Sequence, residues 1–150
     1  MDITSWAYYD KMKEEEIKHL EFIQNIITRM NTNSYQIKGM AIAIVSALLA
    51  VYTSEKNPDF ILITIFPLIL FWFLDSYYLT QERKFRGVYN DLIKGNPKNF
   101  KPFEMRLDQY KEGKYSFWAV FFSKTIWTIY LSVSVIMTLI YLYLKFCKNG

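Results

Sequence analysis

Between Phe60 and Leu79 the chain runs for twenty residues with a single ionisable group, Asp75. At ~1.5 Å per helical residue such a run covers the ~30 Å of a bilayer's hydrocarbon layer. A soluble core has no use for so long an apolar helix, so the run predicts a membrane span. Nothing beyond it forces the helix to stop before the turn signal Gly95-Asn96-Pro97. The span is therefore expected to continue to Lys94 as a charged rod that joins a bilayer to an aqueous tier.

Winding this rod at 100° per residue puts Asp75, Tyr78, Glu82, Arg86, Tyr89 and Ile93 on one face. Glu82 precedes Arg86 by four residues, the favourable order for an ion pair, but an exposed pair of this kind contributes only ~0.3 to 0.5 kcal/mol. A whole stripe of aromatic, acidic and basic groups needs a larger cause. It predicts a polar contact with another helix, a gating or inter-helix network built on Asp75, Tyr78, Glu82, Arg86 and Tyr89. Arg83, Lys84 and Lys94 fall on the opposite, wetter side. The alternative is a basic collar that only fixes topology.

Composition agrees with a membrane class: 52% of the residues are hydrophobic and 19% aromatic, gathered in blocks. Gly39 to Thr53 is a second uncharged run, short for a span, which Ile37 and a snorkelling Lys38 extend. Its small residues suit close helix contact. The polar turn Ser54 to Asp59 makes these two spans an antiparallel hairpin, and Pro67 predicts a kink in the second. Thr125 to Leu144 is a third uncharged run, entered through the aromatic stretch Phe117 to Phe122 and Lys124. On it Ser123, Trp127, Tyr130, Ser134, Thr138 and Tyr141 share an arc of about 80°. That stripe suits either a pore lining or hydrogen bonds to a neighbouring helix.

Ahead of the spans, Ser5 is placed to cap an amphipathic helix over about 5–31, with Trp6, Tyr9, Ile17, Leu20, Ile23, Ile27 and Met30 on its apolar face. Asn31-Thr32-Asn33-Ser34 reads as its end. The single histidine, His19, reads as a surface residue, and the single cysteine, Cys147, excludes an internal disulfide. The expected fold is thus an all-α integral membrane protein, one domain, with an amphipathic N-terminal helix and spans at about 37–53, 60–79 and 125–146. The second span extends into a segment at about 80–116, which is expected to form a compact loop with a short helix. Fifteen of the eighteen Lys and Arg residues fall on the side of the N-terminus and of that segment. The positive-inside rule makes this side cytoplasmic and the C-terminus external.

One His, one Cys and no phosphate-binding glycine motif leave no catalytic set, so neither an enzyme nor a cofactor or metal is expected. The basic residues Arg83, Lys84, Lys94, Lys98, Lys101 and Arg106, interleaved with aromatics, suit a phosphate-rich ligand. They suit a collar of lipid headgroups equally well. The stretch Leu74-Asp75-Ser76-Tyr77-Tyr78-Leu79-Thr80-Gln81-Glu82-Arg83-Lys84-Phe85-Arg86-Gly87-Val88-Tyr89 resembles a signature of SLATT-type membrane effectors in bacterial antiphage defence. In size and organisation the chain is most similar to the channel subunits of Hailong systems. The resemblance implies a homo-oligomeric ion channel of the inner membrane, taken as a tetramer, that acts by abortive infection. It also implies a short DNA oligomer or nucleotide, made by a partner nucleotidyltransferase, that holds the channel shut. The competing reading is a non-conducting anchor or assembly subunit that recruits a cytoplasmic protein.

Overall fold

The computed structural model describes residues 3–55, 57–94 and 103–149, with side chains described over 14–146 of these apart from residue 59. The described residues form helices and turns without strands: α1 (Ile3–Glu55), α2 (Asp59–Ile63), α3 (Ile65–Ile93), 3₁₀ turns at Leu107–Gln109 and Gly113–Tyr115, α4 (Phe117–Phe121) and α5 (Lys124–Asn149). Three segments are long and apolar enough to cross a membrane: Glu14–Glu55, Phe60–Ile93 and Lys124–Phe146. Only 17, 28 and 17% of their most apolar windows are buried within the chain. Their apolar surface must therefore be covered by something outside the chain.

The largest departure from the sequence reading is α1, which is one helix of 53 residues, ~80 Å long, rather than a helix at 5–31 followed by a span. Ser5 accordingly lies inside a helix and does not cap one. Asn31, Thr32, Asn33 and Ser34 have helical backbones. Each costs only a few tenths of a kcal/mol relative to Ala, and no Gly or Pro stands among them. The buried positions His19, Ile23, Ile27, Ser34, Ile37, Ala41 and Val45 keep helical phase straight through the polar run. A continuous packed face outweighs a weak local turn preference.

The second apolar segment is interrupted at Thr64, one turn before Pro67 and not at the middle of the span. Pro67 has no N–H for the carbonyl of Ile63, and its ring crowds that carbonyl. The chain instead tightens: Thr64 donates to the Ile61 carbonyl through both its backbone N–H at 3.2 Å and its Oγ1 at 2.6 Å. Beyond the break α3 runs unbroken to Ile93, as the sequence predicts for the charged rod.

Two apolar clusters hold the helices together. One joins Ala41 and Val45 of α1 to Ile61, Leu68, Val120, Ile126, Tyr130 and Met137. The other joins Ile23 and Ile27 of α1 to Val88 of α3 and to Tyr110, with Met105, Leu107 and Tyr115 packed around it. The loop after α3 is thus folded onto the helices, with two 3₁₀ turns where a short helix is expected. Phe103, at the start of its described part, is 58% exposed.

Gly87 makes the loop's seat. A Cβ built on it would stand 2.6 Å from two carbons of the Tyr110 ring and 3.1 Å from the Tyr115 hydroxyl. Gly39 by contrast has nothing within 4 Å of such an atom. Gly87→Ala is therefore expected to push Tyr110 off α3, destabilising the chain by ~1 to 3 kcal/mol and opening 103–116 to limited proteolysis. Gly39→Ala is expected to be neutral or to stabilise by up to ~1 kcal/mol. Denaturation in detergent together with proteolytic mapping checks both.

Candidate functional site

An Asp in the middle of apolar helices is costly unless its charge is paired and its lone pairs are satisfied. Asp75 is fully buried, and three helices converge on it. From α1, Lys38 Nζ stands 2.8 Å from Oδ1 and 2.7 Å from Oδ2. Ser34, one turn earlier on α1, donates its hydroxyl to Oδ1 in a short hydrogen bond. From α5, the Tyr130 hydroxyl donates to Oδ2 at 3.2 Å. Lys38 also donates to Ser34 Oγ at 2.8 Å, closing the cluster. Every polar group in it has a partner, which is the condition under which such a network rigidifies a helix junction.

The sequence places these groups together through helical spacing. Ser34 and Lys38 are one turn apart on α1, and Lys38 is long enough to reach across to α3 while its side chain stays 21% exposed. Trp72, one turn before Ser76 on α3, fixes α4 by donating Nε1 to the Phe121 carbonyl at 3.1 Å. Its ring lies parallel to Phe121 and to Tyr130, with centroids 4.5 and 6.1 Å away. Tyr130 is thereby aimed at Asp75. Below Lys38, an apolar cavity of about 110 Å³ opens between Ala41, Val45, Leu68, Tyr130 and Val133.

The network is thus not the set expected from the α3 face alone. Asp75 belongs to it, but the sequence alone marks its partners Lys38 and Ser34 as a snorkelling residue and a turn former. Tyr78 is half-buried against Tyr77. Glu82 and Arg86 form the expected intrahelical pair, with Glu82 buried and Arg86 59% exposed. Tyr89 packs beside Ile23, Ile27 and Val88. The α5 stripe also divides. Tyr130 faces Asp75, whereas Ser134 and Thr138 donate to carbonyls four residues back on their own helix, and Tyr141 accepts from Lys145 at 3.0 Å. Trp127 is 39% exposed. Ser123 starts α5 through its carbonyl, which accepts from Ile126 and Trp127, and its buried Oγ has no partner among the described residues.

The described members of the expected basic set stand apart from one another. Arg83 donates Nη1 to the Lys114 carbonyl at 3.4 Å, Lys84 is half-buried, Lys94 ends α3 in the open, and Arg106 pairs with Glu104 at 3.2 Å. Lys98 and Lys101 lie outside the described residues, as do the side chains of Trp6, Tyr9 and Cys147.

His19 is the second correction: it is fully buried, not on the surface. Its Nδ1 accepts the Phe103 N–H at 3.0 Å, and the two rings meet edge to face with centroids 5.7 Å apart. Phe103 has φ 65°, a left-handed conformation that a bulky side chain adopts only when held. His19 lies 18 residues before Ile37, ~27 Å along α1, and so outside the expected span. Burial lowers its pKa from the ordinary 6.5, and a proton on Nδ1 would also set two N–H groups against each other. Nearby, Tyr110 donates its hydroxyl to Asp91 Oδ2, and burial pushes its pKa up, keeping it a donor. No protein-family model, curated protein or solved structure matches the chain.

Two predictions follow from these contacts. Lys38→Met strands the buried Asp75 carboxylate and is expected to cost on the order of 3 kcal/mol in detergent denaturation, whereas Asp75→Leu leaves only the partly exposed Lys38 ammonium unpaired and is expected to cost less. The Lys38→Met/Asp75→Leu pair is expected to lose less than the sum, and strict additivity would show that the groups do not interact. For His19, the unfolded chain takes up its proton near pH 6.5 while the folded chain resists until lower pH. Stability is therefore expected to be full above about pH 6.5 and to fall as the pH drops below it, and because His19 is the only imidazole, His19→Asn should flatten that slope.

Proposed function

We propose that the chain is a multi-pass protein of a bacterial inner membrane, with its N-terminus and the 80–116 segment in the cytoplasm and its C-terminus outside. In this reading, copies of it assemble into an ion channel that serves as an antiphage effector. A nucleotide or single-stranded DNA oligomer from a partner nucleotidyltransferase holds the channel shut from the cytoplasmic side. Three spans cannot enclose a pore, so conduction requires several copies around an axis, taken here as four.

The observation that supports this reading is the continuity of α1 and α3. Each runs unbroken from the Ile23–Ile27–Val88–Tyr110 cluster to the Lys38–Asp75 pair. A ligand that binds one arrangement of the outer cluster more tightly than another would shift the helices at Asp75 by the same differential free energy. A loosely hinged pair of helices would not transmit it.

The test is ion flux from liposomes carrying the purified protein, with and without short single-stranded DNA on the face bearing 80–116. The expected result is flux that the oligomer suppresses. Folded oligomers that pass no ions under any ligand would overturn the channel and leave a membrane anchor.

A further inference from the structure

Away from Asp75, cations converge at one other place among the described residues. Arg83, Arg86, Gly87 and Asn90 follow one another along a face of α3 and meet Lys114 and Tyr115 across a cleft of about 220 Å³. The bond from Arg83 Nη1 to the Lys114 carbonyl ties its two walls. Lys114 Nζ stands 5.0 Å from the centre of the Tyr115 ring. Arg86 uses its Nε on the buried Glu82, which leaves its two terminal nitrogens for a ligand. Glu82 balances one of the three cations, and no carboxylate lines the cleft itself. Gly87, kept bare by the Tyr110 seat, puts no side chain into the floor.

The cleft's depth narrows what it meets. Arg83 lies four residues past Leu79 and Arg86 seven, ~6 and ~10 Å beyond the apolar run on a helix. A bilayer's headgroup layer extends ~5 to 8 Å beyond each face of its ~30 Å hydrocarbon core, which puts Arg83 within it and Arg86 at its outer edge. Trp118 and Phe122, beside the start of α5, are 61 and 64% exposed, as suits aromatics at a membrane interface.

We propose that this cleft binds a phosphate ester, that of an anionic phospholipid headgroup. The proposal rests on the reading of the chain as membrane-spanning. The planar guanidinium groups of Arg83 and Arg86 match the spacing of phosphate oxygens, and Lys114 adds a movable charge from the opposite wall. Bound lipid would bridge α3 to the 3₁₀ turn and reinforce the loop's seat.

The test counts lipids retained by the purified full chain in nonionic detergent, by native mass spectrometry, after addition of phosphatidylglycerol or phosphatidylcholine. Parallel samples receive glycerol phosphate. Phosphatidylglycerol is expected to be held in preference, with affinity falling roughly fivefold in Arg83→Gln and in Lys114→Gln and unchanged in Lys111→Gln, whose side chain is exposed outside the cleft. Arg86→Gln is a poorer probe because it strands Glu82. Glycerol phosphate that displaces the lipid with equal affinity would keep the phosphate-ester site but assign it to a soluble ligand. Equal retention of both lipids, or an equal loss in Lys111→Gln, would overturn the site. Alkaline extraction of membranes separates this from the underlying reading: protein released into solution would overturn membrane insertion, whereas retained protein without lipid preference overturns the cleft alone.

Discussion

A carboxylate with no water around it must find a cation and hydrogen-bond donors, and Asp75 finds them on two other helices. Lys38 supplies the charge, Ser34 and Tyr130 supply hydroxyls, and the pairing fixes how α1, α3 and α5 stand relative to one another. The apolar contacts on either side would tolerate sliding by a turn, because Ile, Val and Leu have no directional demand. The ion pair does not. A shift of α1 by one turn would carry Lys38 ~5 Å along the axis and strand two charges. Register is therefore the best-founded role of the cluster.

The same helices carry a second fixed point, where His19 holds the strained Phe103 and Gly87 seats Tyr110. Between the two points α1 has no Gly or Pro from Ile27 to Lys38, and α3 has only the buried Gly87 after Asp75. Continuous helices without a flexible joint thus join the loop's seat to Asp75. Channel gating would use that stiffness, and so would an anchor that reports on a bound protein.

The apolar runs were legible in the sequence because twenty residues without charge admit few alternatives, and the rod through Lys94 because no breaker precedes Gly95. Pro67 marked a disturbance of the second apolar helix, which falls at Thr64 because a proline disturbs the turn before it. Asn31 to Ser34 mislead because their weak turn preference yields to a continuous buried face: His19, Ile23, Ile27, Ser34, Ile37 and Ala41 keep phase across them. Ser34 and Lys38, one turn apart and level with the only carboxylate of the next span, were the missed sign of the cluster. His19 gave no such sign. Its partner is a backbone N–H more than eighty residues away, and only the fold brings them together.

The link between the two fixed points depends on α1 being one rod that carries both Lys38 and the contacts of His19. Spin labels at Glu16→Cys and Thr53→Cys, in a chain whose own cysteine is replaced by Cys147→Ser, measure this by pulsed electron resonance. An unbroken helix separates the two backbone positions by ~56 Å, giving one narrow distance distribution centred near that value. A broad distribution, or one centred well below it, would mean a joint at Asn31 to Ser34 and would uncouple the two fixed points.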